Sequence, residues 1–397
     1  MDAGAVEALT REPVDFRFKG LPAGWSGRTP TQICAERPDL FAAGPLGPVC
    51  VLDRPALEHN LTVMADWCTD NGVELAPHGK THMAPQLLAK QFAAGACAVT
   101  AATIGQVRIF RAFGVRDVIL ANELVDRAGL AWLAAELDAD PEFRLICWVD
   151  SVRGVTLMTD ALDAAGAQRP LAVCVEVGAR GGRTGCRDLA TVDEVTAAVL
   201  SSRRLLLAGV AGYEAALGHD VSAGGVAVVR DYLMTLRETA RRLASRCEGD
   251  EVIVTADGST YFDIVADVLA GDWRTILRSG CYLTHDDGLY RRTSPLGRPG
   301  SEPGGFRPAL ALWAQVCSRP EPGLALLTMG RRDVSFDQGL PIPTAIRMDD
   351  GWSPENLPGW EVVQLNDQHA FLCLPPAAEV DVGTWMRFGI SHPLHSF

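Results

Sequence analysis

Short apolar runs recur along most of the chain, and segments with helical periodicity lie between them. The runs are 73–76 VELA, 97–101 CAVTA, 117–120 DVIL, 145–149 LICWV, 171–177 LAVCVEV, 206–211 LLAGVA, 252–256 VIVTA and 275–278 TILR. Helical patterns follow, for example, over 85–94 and 226–246. Eight buried strands that alternate with helices predict a (β/α)8 barrel.

A doubly wound parallel sheet is the alternative fold for this pattern. That fold needs fewer strands and usually places a glycine-rich loop after its first strand, and this chain has no such loop there. The barrel is therefore the favoured prediction.

The two ends of the chain differ from the barrel region in composition and in the pattern of apolar residues. Residues 49–52, VCVL, read as a strand, and Asp53 with Pro55 reads as the start of a helix. Beyond residue 285, a loop rich in Gly, Pro and Arg leads into short alternating strands. We predict a C-terminal β domain that also takes in the N-terminal segment, with boundaries at 1–47, 48–284 and 285–397.

Composition excludes several classes of protein. The net charge of −13 disfavours nucleic acid, whose phosphates it would repel. No apolar stretch reaches the length of about 18 residues that a membrane span needs. The eleven cysteines show no CxxC pairing and the first residues lack an apolar signal core, so we expect a cytoplasmic protein with reduced thiols.

The first predicted barrel strand runs into the segment APHGKTHMAP, residues 76–85, which contains His78 and Lys80. Active sites of such barrels lie at the carboxyl ends of the strands. A partly desolvated lysine at that position can act as an amine nucleophile, because burial lowers the pKa of an ammonium group. The competing interpretation of Lys80 is an ordinary surface lysine.

Other predicted strand ends carry residues that suit one common ligand. The candidates are Arg183 after the fifth strand, Tyr213 after the sixth, Gly258, Ser259 and Thr260 after the seventh, and Gly280 with Tyr282 after the eighth. A turn of small residues before a helix presents N–H groups that suit a phosphate, and barrels often bind phosphate after strands 7 and 8. An amine nucleophile, a phosphate cup and an arginine indicate a pyridoxal 5'-phosphate site.

Several motifs resemble a known family over residues 48 to 393. They include PHGKTHMAPQLLAKQ, AGACAVTAATIGQVRIF, VEVGARGGRTG, RSGCYLTHDDGLY, GRRDVSFDQGLPIP and GISHP. The family is the D-threonine aldolase/D-serine dehydratase group of fold-type III pyridoxal phosphate enzymes, whose barrel is of the alanine racemase type. The most similar branch is that of the amino acid deaminases.

The resemblance implies a role for each candidate residue. Lys80 would carry the cofactor and remove the α-proton from one face, which selects D-amino acids, and His78 would order the lysine or the cofactor. Arg183 would lie near the ring oxygen and Tyr213 in the pocket wall. The phosphate cup would comprise Gly258, Ser259, Thr260, Gly280 and Tyr282. A homodimer is also implied.

The family additionally places a divalent metal, zinc or manganese, on a C-terminal histidine and a cysteine or aspartate two residues later. His392 matches the histidine, but Leu394 occupies the second position and has no donor atom, and His395 comes one residue too late. His369 matches another family position near the site. Because catalytic zinc normally has three protein ligands, we expect well under one tightly held metal per chain.

Several functions are consistent with these residues and with the resemblance. The first is a lyase that dehydrates and deaminates D-3-hydroxy amino acids to a 2-oxo acid and ammonia. The alternatives are a D-threonine-type aldolase that gives glycine and an aldehyde, an amino acid racemase or epimerase, and a pyridoxal phosphate-binding protein without turnover. Lys80 and the cofactor are common to all of them.

Overall fold

The computed structural model describes residues 1–249, 251–256, 258–298, 304–348, 351–353 and 357–392. The chain divides into two compact units. The first consists of Met1–Ala3, Leu61–Gly280 and Thr293–Pro295, and the second of Gly4–Asn60, Cys281–Arg292 and the described part of Leu296–Phe397.

The N-terminal part of the chain contains few regular elements, namely α1 (Ala3–Ala8), α2 (Pro30–Glu36), β1 (Val49–Leu52) and α3 (Arg54–Asp70). Thr29 caps α2 through its hydroxyl and forms a capping box with Gln32. The Asp53 carboxylate accepts a hydrogen bond from the Ala56 N–H at 2.8 Å, which confirms the predicted start of α3.

Eight parallel strands form the sheet of the first unit. They are β2 (Glu74–Leu75), β3 (Val99–Ala101), β4 (Asp117–Glu123), β5 (Arg144–Val149), β6 (Leu171–Val177), β7 (Leu205–Gly212), β8 (Ile253–Ala256) and β9 (Arg274–Leu277). Their order is β2-β9-β8-β7-β6-β5-β4-β3. A parallel bridge between His78 and Thr100 joins the two ends of this sheet. The predicted (β/α)8 barrel is thereby confirmed.

Helices connect these strands on the outside of the sheet. They are α4 (Pro85–Ala93), α5 (Ile104–Ala112), α6 (Arg127–Ala139), α7 (Val152–Ala164), α8 (Leu189–Ser201), α9 (Ala223–Leu243) and α10 (Phe262–Leu269). Thr103, Asp126, Ser151, Asp188 and Ser222 cap five of them with side-chain oxygens. Inside the barrel, apolar side chains such as Ile119, Trp148, Cys174, Ala211 and Ile276 pack against one another.

The second unit contains α11 (Leu289–Thr293) at its margin and an antiparallel sheet. The strands are β10 (Leu310–Glu321), β11 (Leu324–Leu327), β12 (Ile342–Met348), β13 (Gly351–Trp352), β14 (Glu361–Leu365), β15 (Ala370–Cys373) and β16 (Trp385–Gly389). Their order is β13-β12-β16-β10-β11-β15-β14, and β1 pairs with β10. A strand from near the N-terminus thus joins the β domain, as predicted, although β1 lies beyond the predicted end of the N-terminal segment at residue 47. β12 and β13 were not predicted.

Within the described ranges, none of the helices combines the length and the hydrophobicity that crossing a bilayer requires.

Candidate active site

Lys80 lies in a 3-10 turn, Gly79–Thr81, that follows β2 at the carboxyl end of the barrel. The Thr81 hydroxyl donates to the His78 carbonyl at 2.9 Å, and the Met83 N–H donates to the Gly79 carbonyl at 2.9 Å. Gly79 and Thr81 are buried while Lys80 is partly exposed. The turn therefore fixes the backbone on both sides of a lysine that keeps access to the barrel mouth.

The two histidines of this loop have different surroundings. His82 is buried, with its Nε2 3.1 Å from Gln91 Oε1, and its Nδ1 accepts from the Ala84 N–H at 3.0 Å. Burial lowers the pKa of His82 to about 4. His82 is therefore a neutral residue that holds the loop on α4.

His78 faces the cationic part of the barrel mouth. Burial of its ring, followed by the positive charges of Lys80, Arg278 and Arg183, holds the pKa of His78 well below its usual value of 6.5. Its Nδ1 is buried and has no hydrogen-bond partner among the described residues. The structure thus brings the predicted residues His78, Lys80 and Arg183 together around a neutral imidazole with one unused polar atom.

Gly280 packs directly against the lysine loop. A Cβ at this position would lie 2.6 Å from the His78 carbonyl oxygen and would also meet the Thr81 hydroxyl. Real Cβ atoms do not approach other atoms this closely, so only glycine fits without a shift of the loop. The predicted residue Gly280 therefore supports the position of Lys80 through close backbone contact.

Arg183 and Tyr213 contact each other, although they follow different strands. The guanidinium carbon of Arg183 lies 4.5 Å from the centroid of the Tyr213 ring, which is a cation–π distance. The Tyr213 N–H donates to the Tyr232 hydroxyl at 3.0 Å, and that hydroxyl donates to the Val177 carbonyl at 2.6 Å. Tyr232 of α9 therefore links the ends of β6 and β7 below this pair.

The turn at Gly258, Ser259 and Thr260 leads into α10, as the sequence predicts. Ser259 and Thr260 are buried, and the Thr260 hydroxyl lies 2.8 Å from His219 Nδ1. The Gly258 N–H donates to the buried carboxylate of Glu214 at 2.6 Å. The Gly258 N–H is therefore not available as a donor to a phosphate. Gly258 would instead leave space there, because a side chain at this position would meet Tyr213 and Ala215.

Arg278 is a candidate site residue that the sequence reasoning missed. It is only 5% exposed and donates from both guanidinium nitrogens, to the Thr255 hydroxyl and the Gly212 carbonyl, at 2.6 Å each. Its guanidinium carbon lies 5.5 Å from the Trp148 ring. The sequence feature that could have identified Arg278 is its place at the end of the apolar run TILR, because an arginine is seldom buried without a role.

The remaining candidates lie in the second unit. Tyr282 is 3% exposed and its ring centroid lies 6.0 Å from that of Phe306. His392 is buried, with its Nδ1 3.0 Å from Asp337 Oδ2. His369 is exposed in the turn between β14 and β15. Leu394 and His395 lie outside the described residues.

The donor set fits pyridoxal phosphate better than it fits a metal. Lys80 offers an amine, Arg183 and Arg278 offer positive charge, Ser259 and Thr260 offer hydroxyls, and the unpartnered Nδ1 of His78 leaves room for a further contact. Among the described residues, no group of three or more His, Cys, Asp and Glu side chains is placed to hold a metal ion. With leucine at position 394, the chain also lacks the expected second ligand.

Models of two known protein families match separate parts of this chain. Residues 52–285 match the family model described as the alanine racemase N-terminal domain, and residues 309–394 match that of a putative serine dehydratase domain. A D-threonine aldolase from Arthrobacter sp. is 28% identical over 356 residues, which cover 87% of this chain and 85% of the relative.

Two further relatives extend the likeness. A D-threo-3-hydroxyaspartate dehydratase from Delftia sp. (strain HT23) is 26% identical over 362 residues, 86% of this chain and 87% of the relative. The crystal structure of D-threonine aldolase from Filomicrobium marinum superposes with a TM-score of 0.72 at 27% identity, and covers 97% of this chain and 92% of that one.

Proposed function

The chain belongs to the family of the alanine racemase N-terminal domain and, within it, to the group of D-threonine aldolases and D-threo-3-hydroxyaspartate dehydratases, and we propose that it is a pyridoxal phosphate-dependent lyase that converts D-3-hydroxy amino acids to a 2-oxo acid and ammonia. The observation that carries the proposal is Lys80 at the carboxyl end of β2, beside two arginines and a neutral histidine.

The cofactor, when bound, would supply an electron sink for the charge that develops at the substrate Cα. Lys80 would anchor it covalently and, once released, take the proton from Cα. Arg183, stacked on Tyr213, and Arg278 would keep the mouth positive and attract the phosphate and the substrate carboxylate. His78 would stay neutral at physiological pH, because burial of its ring and then three nearby cations lower its pKa, and it could offer Nδ1 as a hydrogen-bond partner.

Aldol cleavage to glycine and an aldehyde is the second candidate. The observation in its favour is the Arthrobacter D-threonine aldolase, at 28% identity over most of both chains. The two reactions break different bonds, Cα–H in dehydration and Cα–Cβ in aldol cleavage. A homodimer and the roles of Gly258, Ser259, Thr260, Gly280 and Tyr282 in cofactor binding stay part of the same proposal.

The products formed from D-serine and D-threonine test the proposed function. We expect pyruvate and 2-oxobutyrate with ammonia, and much slower reaction of the L-enantiomers, because Lys80 meets only one face of the bound substrate. Products can be quantified with a 2-oxo acid assay and amino acid analysis. Glycine with an aldehyde would favour the aldolase. Equal rates on both enantiomers would favour a racemase, and bound cofactor without any product would favour a binding protein.

Metal content gives a separate prediction. We expect purified protein to hold well under one divalent metal per chain and to keep its turnover after treatment with a chelator, because Leu394 offers no ligand. Leu394→Cys should raise both metal content and metal-dependent turnover, whereas Leu394→Ala should raise neither. Stoichiometric zinc or manganese that survives the chelator in the unaltered chain would contradict this prediction.

A further inference from the structure

Two glutamates of the barrel interior are not used by the chemistry described so far. Glu123 ends β4 and pairs with Trp148 of β5, and Glu176 in β6 pairs with Ala211 of β7. Trp148 and Ala211 both belong to the apolar interior of the barrel. Paired residues on neighbouring parallel strands share a face of the sheet, so both carboxyl groups point into the barrel, near the end where Lys80 follows β2.

Three of the four carboxylate oxygens of these glutamates are buried without a hydrogen-bond partner among the described residues. Glu176 is only 3% exposed, and its Oε2 has no hydrogen-bond partner among the described residues. Both carboxylate oxygens of Glu123 are likewise buried without a partner in that part of the chain. Unpaired buried charges are strongly unfavourable, and two of them together more so. A single proton shared by the two carboxyl groups would neutralise one of them and provide a hydrogen-bond donor to the other.

Burial and the nearest negative charges act on the pair in the same direction. Burial, followed by the negative charge of Glu176 and that of Asp150 at the end of β5, raises the pKa of Glu123 to about 8. The other groups on this side are the thiols of Cys147 and Cys186, the phenol of Tyr232, and Arg278, whose guanidinium carbon lies 5.5 Å from the Trp148 ring. Burial raises the pKa of the thiols and of the phenol, so they stay neutral near pH 7, and the Arg278 guanidinium donates to Thr255 and Gly212.

Elimination of water needs help at the departing oxygen, because hydroxide is a poor leaving group. A divalent metal or an acid can give that help. This chain has leucine at the position of the second metal ligand and a pair of inward carboxyl groups in the barrel. The acid is therefore the option that the residues of this chain support.

We propose that Glu123 and Glu176 share one proton and deliver it to the hydroxyl group that leaves the substrate, so that the pair is the general acid of the elimination. This inference rests on the proposed function. The Cα–H bond breaks and its proton passes to the Lys80 amine, while its electron pair forms the Cα–Cβ double bond. The Cβ–O bond breaks, the shared proton joins that oxygen, and water departs. The ionised pair regains a proton from the Lys80 ammonium group or from solvent.

The test is the pH dependence of 2-oxo acid formation from D-serine in the cofactor-loaded protein. The unaltered chain should lose turnover as pH rises through about 8, because the pair then loses its proton. Glu123→Gln should lower turnover by about 100-fold or more, in line with the loss of a general acid. Glu176→Gln should move the alkaline fall to lower pH, since the neighbouring charge that raises the pKa of Glu123 is gone.

Glu194→Gln is the matched control, because Glu194 is an exposed residue of α8 in the same unit. It should leave both the rate and the pH profile unchanged. Unaltered profiles in both Glu123→Gln and Glu176→Gln, with the cofactor's visible absorbance retained, would overturn the acid role. Formation of glycine by the unaltered chain would instead refute the proposed function, and the acid role with it.

Thermal stability tests the shared proton without any turnover. Between pH 4.5, the ordinary pKa of a glutamate, and about 8, the folded chain would retain a proton that the unfolded chain releases. The melting temperature of the unaltered chain should therefore fall across this window relative to that of Glu123→Gln. Parallel curves for the two proteins would show that no proton is shared.

Discussion

Replacement of Lys80 by alanine is expected to abolish the visible absorbance of the covalently bound cofactor and all turnover, because both the anchor and the base are lost. The chain makes this test unusually clear, since it contains only three lysines, Lys19, Lys80 and Lys90. Borohydride reduction followed by peptide mass spectrometry should find the cofactor on the Lys80 peptide of the unaltered protein.

The other two lysines are matched controls for this experiment. Lys90 is exposed on α4, and Lys19 forms an ion pair with Asp333 in the second unit. Lys19→Ala and Lys90→Ala should keep the absorbance and the turnover of the unaltered chain. A reduced adduct on either lysine in the Lys80→Ala protein would refute the assignment of Lys80.

Gly280→Ala is expected to cause the second-largest loss, although it changes no group that reacts. The new Cβ would lie 2.6 Å from the His78 carbonyl oxygen and would meet the Thr81 hydroxyl, so the loop that carries Lys80 must move. Displacement of a catalytic group by about 1 Å can cost about 100-fold in rate. We expect at least that loss of turnover and weaker cofactor binding, measured by fluorescence titration.

Gly224→Ala provides the comparison for Gly280→Ala. Gly224 lies in α9, where a Cβ would come no closer than 3.8 Å to the Ser222 hydroxyl. This change should leave turnover intact and slightly stabilise the helix, since alanine favours helix over glycine. Equal behaviour of the two variants would mean that Gly280 does not hold the lysine loop.

The sequence predicted the barrel well because each buried strand is a short apolar run bounded by turns. All eight runs correspond to β2 through β9. β12 was missed because IPTAIRM contains proline and arginine and has no regular alternation. Its burial follows from pairing with β16, across an irregular register between Pro343 and Ala345. Tertiary pairing of that kind is not encoded in local periodicity.

Some candidate site residues could be predicted from the sequence, and others could not. Lys80 and Gly280 stand in loops after strands, where position along the chain is enough to suggest a role. Glu123 ends β4 and Arg278 directly follows β9. In the sequence both resemble solvated strand ends, because nothing local shows which way such a side chain points. The proposed pair of Glu123 and Glu176 would span β4 and β6, with β5 between them, and so depends on the register of three strands.

The lysine loop lies at the junction between β2 and β3, where the barrel closes, so it also affects the stability of that closure. β2 is two residues long, and in the described structure the junction is held by the Cys97 and Thr100 N–H groups and the Thr100 hydroxyl, which donate to Leu75, Pro77 and Ala76 carbonyls. So short a junction is where a barrel would open first. A ligand bound covalently to Lys80 would stabilise this junction against local opening. Its binding free energy would then stabilise the closed barrel as a whole.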